Sequence, residues 1–409
     1  MELDFLRDKI TIWDGAMGTV LQQRGLPPGG KPDLLNLTSP DLLYSIFREY
    51  IEAGSQIICA NTFGSSAPKL AGTGHTVDEV VSAAVAIAKR AAEGTDVKVS
   101  LDMGPLGELL EPMGSLTFER AYELFKEVAA AGEKAGADLV SIETMTDLYE
   151  TKAALLAVKE NTNLPVFATM SFEEDGRTFT GCTIASMART LEGLGADAIG
   201  LNCSLGPDKL APLLKELCEN TRLPVIAKPN AGLPDPVDGH YNMGPDEFAA
   251  ALLPCWEAGV TIFGGCCGTS PEYIRTLKAA LEGRKPVPRT YERCSFVCTP
   301  AFPTKITGVR VIGERVNPTG KQRFQQEDDL DYILDVAVQQ EDAGADILDV
   351  NVGFPGVDEA VMLPRVVKKL QSAVSLPLQL DSSNPDALEA GLRVYNGKAA
   401  VNSVNGEPE

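Results

Sequence analysis

The chain lacks any apolar run of the length that a membrane span requires. No window in its 409 residues approaches 18 consecutive apolar residues. The first 18 residues carry acidic side chains where a secretory signal peptide would carry basic ones. We therefore expect no membrane partner.

Positive charge is also scarce. The chain has 36 Lys and Arg residues against 57 Asp and Glu residues, which gives a formal net charge of -21. An acidic surface repels phosphate groups, so this balance disfavours nucleic acids and anionic membranes as partners. A small-molecule substrate is the more natural expectation.

Histidine is rare, and cysteine is present in an odd number. His75 and His240 are the two histidines, and both lie in polar stretches typical of surface loops rather than of metal sites. Nine cysteines do not suggest a disulfide framework. Thiols in this number favour a reducing compartment and predict a cytoplasmic location. Five of them lie at or near the ends of apolar runs: Cys59, Cys182, Cys203, Cys266 and Cys267.

Short β-branched runs alternate with segments of helical spacing across residues 10 to 282. Eight such runs can be counted, from KITIWDG to VTIFGGC. Glycines at positions 54, 136, 195 and 259 each follow a helical segment just before a strand, where a helix C-cap belongs. The pattern predicts an α/β fold, a (β/α)8 TIM barrel. A doubly wound open sheet shows the same alternation, but no GxGxxG follows the first strand.

The pattern is interrupted after residue 285 and then resumes. Residues 286–308 are rich in proline and predict a linker, whereas 309–409 contain four further strand signals. We predict a barrel over 1–285 and the first half of a second, incomplete (β/α) barrel of about four units over 309–409. We expect its remaining units to lie outside this chain, because half a barrel leaves open sheet edges. A swapped or dimeric half barrel is the alternative.

Three cysteines fall at predicted strand ends that share one rim of the first barrel. Cys203 follows the sixth strand, and the adjacent Cys266 and Cys267 follow the eighth in the stretch GGCCGTS. Three thiolates at one mouth predict a site for a divalent metal that binds sulfur well, Zn²⁺, with a fourth position open. The alternatives are buried thiols that only fill space, or a vicinal disulfide or redox pair.

A metal with three thiolate ligands suits a substrate that brings another sulfur. A substrate thiol would be bound there as a thiolate at neutral pH. On the same rim, Asp14 and Glu143 could hold an ammonium group, and amide N–H groups of the loop at 15–19 could receive a carboxylate. Alternatively, Asp14 and Glu143 only form hydrogen bonds around the site or cap helices. Together these features fit a thiol with an amino-acid head.

Several motifs carry a specific resemblance. WDGAMGT, ANTFG, IETM, GLNCSLGP and GGCCGTSPEYI resemble the homocysteine methyltransferase barrel across residues 1–285. IGERVNPTG, ILDVNVGFPG, LQLDSSNP and VNSVNGE resemble the pterin-binding barrel that is joined to it in the cobalamin-dependent methionine synthase family. This order of two barrels is more diagnostic than either part.

The resemblance implies a role for particular residues. The family's zinc ligands fall on Cys203, Cys266 and Cys267. Its homocysteine-binding residues fall on Asp14, Gly15, Ala16, Gly18, Glu143 and Asn230. Its polar residues around the folate ring fall on Glu314, Asn317, Asp349, Asn351, Asp381 and Asn402.

The resemblance also implies an activity. It is methyl transfer to the zinc-bound thiolate of homocysteine to form methionine, with the methyl group supplied by 5-methyltetrahydrofolate through cobalamin. No cobalamin-type DxHxxG occurs here, so methylcobalamin would be held by a cobalamin-binding module outside this chain, and the isolated chain is expected to be only partly active. The alternatives are a stand-alone homocysteine S-methyltransferase that uses S-methylmethionine or betaine, and a substrate-binding fragment that is inactive alone.

Overall fold

The structure is a computed structural model that describes residue 6 and residues 9–27, 29–235, 241–291, 294–319 and 330–404. The chain divides into two compact units. The first comprises Met1–Thr180 and Leu194–Tyr291, and the second comprises Gly181–Gly193 and Glu292–Glu409. No helix in the described part of the chain is long and apolar enough to cross a membrane.

All but two of the strands lie where the β-branched runs predict them. In chain order they are β1 (Thr11–Ile12), β2 (Ile57–Cys59), β3 (Lys98–Met103), β4 (Leu139–Met145), β5 (Val166–Met170), β6 (Ala198–Asn202), β7 (Val225–Lys228), β8 (Ile262–Phe263), β9 (Ser295–Cys298), β10 (Pro303–Ile306), β11 (Ile312–Val316), β12 (Ile347–Asn351), β13 (Leu378–Asp381) and β14 (Ala400–Asn402).

The α-helices occupy the segments between strands. In chain order they are α1 (Met17–Gln23), α2 (Leu35–Thr38), α3 (Pro40–Ala53), α4 (Ala67–Leu70), α5 (Val77–Ala92), α6 (Phe118–Ala135), α7 (Leu148–Asn161), α8 (Ile184–Gly193), α9 (Pro207–Asn220), α10 (Pro245–Ala251), α11 (Leu253–Glu257), α12 (Pro271–Leu281), α13 (Leu330–Asp342), α14 (Glu359–Gln371) and α15 (Pro385–Val394).

The first unit is built on a ring of parallel strands. Among the described residues, β1 to β8 form one sheet in the order β1-β8-β7-β6-β5-β4-β3-β2. A parallel bridge from Trp13 to Ile57 links the two ends of this order. The predicted (β/α)8 barrel is confirmed, and the carboxyl ends of its strands meet at one face.

Local sequence signals fix the ends of the helices. Thr76 and Glu79 form a reciprocal capping box at the start of α5, which satisfies two backbone N–H groups. At the end of α3 and of α6, Gly54 and Gly136 adopt φ of 104° and 91°. Only glycine takes this left-handed conformation without steric cost, so the glycine joints mark the helix ends as the pattern predicts.

A buried apolar cluster fills the barrel interior. Trp13, Ile57, Leu139, Phe167, Ala198, Ile226 and Ile262 are all fully buried within it. The rings of Trp13 and Phe167 meet edge to face with centroids 5.7 Å apart. The interior is therefore a packed core rather than a pore.

The second unit contains a smaller parallel sheet. Its order is β11-β12-β13-β14, and its core includes Val350, Leu363 and Leu380. The predicted second series of alternating strands and helices is therefore confirmed, with four parallel strands. A separate antiparallel pair, β9 with β10, lies in the segment predicted to be a linker. The sequence does not predict this pair, because its short strands are surrounded by proline.

Candidate metal centre

Three cysteine sulfurs converge at the carboxyl ends of two barrel strands. Cys203 directly follows β6, and Cys266 and Cys267 lie shortly after β8. Their Sγ atoms all lie within 4.8 Å of one another, and those of Cys203 and Cys267 are 4.0 Å apart. A tetrahedral site with Zn–S bonds of about 2.3 Å needs sulfurs about 3.8 Å apart. The donor set therefore fits a zinc ion.

The backbone around these thiols is bent to bring them together. Cys203 has φ of 60° and Ser204 has φ of 54°, a left-handed conformation that is uncommon for residues with a side chain. The turn is held because the Cys203 N–H donates to the Lys228 carbonyl over 3.1 Å. The Cys266 N–H donates to the Pro229 carbonyl over 2.8 Å. Strained backbone of this kind is typical of functional sites.

The three thiols do not ionise equally. Hydrogen bonds from Cys203 and Cys266 lower the pKa of Cys267 to about 3, and the Tyr241 hydroxyl contributes to the same shift. The pKa of Cys203 is raised to about 11, with Cys267 and burial as the raising causes against a lowering contact from Cys266. The cluster thus favours one thiolate even without a metal, and a divalent cation would favour all three.

Two asparagines flank the thiols. Asn202 is fully buried, accepts from the Thr144 N–H over 2.9 Å and donates to the Thr144 hydroxyl over 2.8 Å. Its amide nitrogen also lies 3.9 Å from the Cys266 sulfur. Asn230 is buried, and its Oδ1 has no hydrogen-bond partner among the described residues. A buried acceptor without a donor is costly, so the Oδ1 of Asn230 is free to receive a hydrogen bond.

Asp14 and Glu143 lie in one buried pocket at the same end of the barrel. Asp14 Oδ2 accepts from the Cys59 N–H over 2.7 Å, whereas its Oδ1 is buried without a partner. Burial raises the pKa of Asp14 to about 7, although Lys228 lowers it in part. Glu143 Oε2 lies 2.5 Å from the ammonium nitrogen of Lys228. The two predicted carboxylates therefore interact with one internal cation.

Lys228 is a site residue that the sequence analysis missed. It is 3% exposed, and its ammonium lies over the Trp13 ring, 4.8 Å from the centroid, and 3.9 Å from the Cys59 sulfur. Burial alone would lower its pKa, but Cys59, Glu143, Asp14 and Asp102 outweigh burial and raise it well above its usual value. The available signal was the position of a lysine at the last residue of a buried strand.

The predicted carboxylate-binding loop lies at the start of α1. Gly15 and Ala16 directly precede this helix, and Gly18 lies in its first turn. Backbone N–H groups at this end have no partner inside the helix. The Ala16 N–H donates to the Thr269 hydroxyl over 3.1 Å, and the Tyr50 hydroxyl donates to the Ala16 carbonyl over 3.1 Å. These contacts fix the loop beside the turn that carries Cys266 and Cys267.

In the second unit, most of the predicted folate-binding residues come together. Asn351 donates to Asp381 over 3.0 Å, and Asp349 hydrogen-bonds Asn402. Glu314 acts on Asp349 through its charge, and burial raises the pKa of Asp349. The structure thus gathers polar side chains at the ends of neighbouring parallel strands.

One predicted residue makes a local contact, and one residue that was not predicted joins the group. Asn317 follows β11 and accepts from the Thr319 N–H over 2.9 Å, a local turn contact. Gln379, which the sequence analysis missed, donates to Asp349 over 2.5 Å. Gln379 lies two residues before Asp381 on β13, so alternation along the strand was the signal that could have found it.

Comparison with known proteins gives separate matches for the two parts of the chain. The family model described as Homocysteine S-methyltransferase matches residues 11–281, and the model described as Pterin binding enzyme matches residues 313–409. The chain is 35% identical to methionine synthase of Mycobacterium tuberculosis over an alignment of 434 positions, and 34% identical to that of Mycobacterium leprae over 439 positions. Both alignments cover 99% of this chain but only 36% of the relative.

Solved structures share the fold of the first unit. The oxidized form of the homocysteine methyltransferase MmuM from Escherichia coli superposes with a TM-score of 0.59 at 22% identity, covering 66% of this chain and 95% of that one. Its metallated form gives 0.59 at 23% identity, covering 67% and 96%. The matched family model spans about two thirds of the sequence. The chain belongs to the homocysteine S-methyltransferase family.

Proposed function

We propose that the first unit binds homocysteine and positions its sulfur to accept a methyl group, which forms methionine. The observation that carries this proposal is the group of three sulfurs within 4.8 Å at the carboxyl ends of β6 and β8. The family model matched over residues 11–281 supports the same substrate. The chain spans about a third of its curated relatives, so the reaction of the whole protein is part of the proposal.

Cys203, Cys266 and Cys267 would hold a zinc ion. The 4.0 Å separation of the Cys203 and Cys267 sulfurs is close to the tetrahedral value of about 3.8 Å. When bound, zinc with three thiolate ligands supplies an open position at which a substrate thiol binds as a nucleophilic thiolate at neutral pH.

The other side chains would orient the amino-acid end of homocysteine. The free Oδ1 of Asp14 offers an acceptor for the substrate ammonium, and Lys228 limits the negative charge that Glu143 adds to the pocket. The N–H groups of Gly15 and Gly18 would face the substrate carboxylate, whereas Ala16, whose N–H donates to Thr269, would hold this loop in place. Asn230 Oδ1 would receive a donor from the substrate side.

The second unit would bind 5-methyltetrahydrofolate, the source of the methyl group. A pterin presents an alternating donor and acceptor edge, which carboxylates and amides can pair with. Glu314, Asn317, Asp349, Asn351, Asp381 and Asn402 are the residues we assign to it. Cobalamin, held by a module outside this chain, would carry the methyl group between the two substrates.

A product assay tests the homocysteine half of the proposal. The zinc-loaded chain is incubated with homocysteine and methylcobalamin, and methionine is measured by mass spectrometry. We expect methionine from the wild type, none above background from Cys267→Ser, and wild-type yield from the control Cys294→Ser, which lies in the other unit. Methyl transfer from S-methylmethionine or betaine but not from methylcobalamin would instead support a stand-alone methyltransferase.

A binding measurement tests the folate half. Calorimetric titration with 5-methyltetrahydrofolate should show affinity that Asp381→Asn weakens at least about tenfold, because hydrogen bonds to a charged group contribute about 1.5–3 kcal/mol. The control Asp386→Asn, in the first turn of α15, should bind as the wild type does. Equal affinity of all three proteins would contradict this assignment.

A further inference from the structure

A second cluster of ligand-bearing side chains lies in the barrel mouth. Atoms of Cys59, Asp102 and Glu143 lie within 4.8 Å of one another. The ammonium of Lys228 is already among them, 2.5 Å from Glu143 and 3.9 Å from the Cys59 sulfur. A cation inside the cluster makes it a pocket for positive groups rather than a second metal site.

The charges of this pocket are unbalanced. Asp14, Asp102 and Glu143 contribute three carboxyl groups, and Lys228 is the cation that acts on both Asp14 and Asp102. Lys69 is also influenced by Asp102, but more strongly by Asp33 and Glu150. Three carboxyl groups thus share one cation, and a further positive group nearby would stabilise their ionised forms.

Asp102 is the carboxyl group with the least compensation. It lies on β3, is 7% exposed, and its Oδ1 is buried without a hydrogen-bond partner among the described residues. Burial raises its pKa well above the usual value, Glu143 raises it further, and Lys228 lowers it only in part. A second nearby cation would stabilise the ionised form of Asp102.

We propose that Asp102 is a further substrate-binding residue, which together with Asp14 receives the ammonium group of the substrate while Glu143 stays paired with Lys228. The inference rests on the proposed function and deepens it, because it names the feature that selects the substrate. The pocket would accept thiols that carry an α-amino group and reject thiols of the same length that lack one. Each free Oδ1 would gain its missing donor from the ammonium.

The test compares two ligands that differ in one amino group. Homocysteine and 4-mercaptobutyrate, which lacks the amine, are titrated calorimetrically into the zinc-loaded chain. Asp102→Asn keeps the shape of the side chain but removes its charge. Asp96→Asn is the matched control, because Asp96 is exposed and precedes the opposite end of the same strand. Circular dichroism and zinc content verify that each variant is folded and loaded.

We expect Asp102→Asn to weaken homocysteine binding about 10- to 100-fold, the range for hydrogen bonds to charged groups, and to leave 4-mercaptobutyrate binding unchanged. Asp96→Asn should change neither affinity. Equal weakening of both ligands, or of neither, overturns the role of Asp102. If the Asn variant does not fold, Asp102→Ser gives the same comparison. Equal affinity of the wild type for the two ligands overturns the inference without any variant. A wild type that binds no homocysteine overturns the proposed function as well.

Discussion

The ammonium nitrogen of Lys228 lies 2.5 Å from the carboxylate oxygen Oε2 of Glu143, in a pocket where these side chains are only 4% and 11% exposed. Two charges at this depth stabilise each other but cost free energy to desolvate. The pair joins β7 and β4, which lie three strands apart in the ring. The ion pair therefore links two strands of the barrel and is also part of the candidate substrate pocket.

Lys228→Met should destabilise the first unit by about 3–5 kcal/mol, because it leaves an uncompensated buried charge on Glu143. Urea unfolding followed by tryptophan fluorescence measures this, since Trp13 and Trp256 are the two tryptophans and both lie in the first unit.

The control is Lys126→Met, which removes an exposed partner of Glu123 at 3.4 Å. We expect it to cost less than about 1 kcal/mol. The double variant Glu143→Gln with Lys228→Met should recover part of the loss, because both charges are then absent. Equal effects of the two lysine substitutions would show that the buried pair contributes no more than a surface pair.

Glu150 should make the first unit less stable as pH rises from about 4.5 to 7. Burial raises its pKa from 4.5 to about 7 in the folded chain, so the folded state retains a proton that the unfolded state has released. Stability from this group is present below pH 4.5 and lost as pH rises through 7. One pKa unit corresponds to about 1.4 kcal/mol, so the loss is about 3 kcal/mol.

Glu150→Gln removes this titration and keeps an oxygen that can accept the Leu106 N–H, now bonded over 2.7 Å. The variant should show a shallower fall in unfolding free energy between pH 4.5 and 7 than the wild type. Exposed Glu123→Gln serves as the control and should keep the wild-type slope. Parallel curves for Glu150→Gln and wild type would contradict the effect.

Cys267 should be the first cysteine alkylated in the metal-free chain at pH 6. Its pKa of about 3 makes it a thiolate there, whereas burial raises the pKa of Cys59 well above its usual value and that of Cys255 to about 12. Thiolates, not thiols, react with iodoacetamide. Peptide mass spectrometry after brief exposure identifies the modified residue, and added zinc should protect it. Faster modification of Cys59 would refute this order.

The sequence was sufficient to predict how the three cysteines meet, for a clear physical reason. Parallel strands in a barrel end at one face, so Cys203 after β6 and Cys266 after β8 had to share a rim. The left-handed backbone at Gly136 could likewise be predicted, because glycine has no side chain and adopts this conformation without steric cost.

Other features depended on contacts that no local pattern contains. A lysine at position 228 could have pointed to solvent, and only the assembled ring shows that it reaches Glu143. The pair β9 and β10 was missed because antiparallel pairing can stabilise short strands that have weak signals of their own. Left-handed backbone at Cys203 is imposed by its neighbours and is not a property of cysteine.

Zinc content tests the central claim most directly. Metal analysis of the purified chain, with X-ray absorption at the zinc edge, should give about one zinc per chain with three sulfur ligands near 2.3 Å. Cys203→Ser, Cys266→Ser and Cys267→Ser should each lose most of the metal, whereas Cys294→Ser should retain it. A chain that binds no zinc, or that keeps its zinc after all three substitutions, would contradict the account.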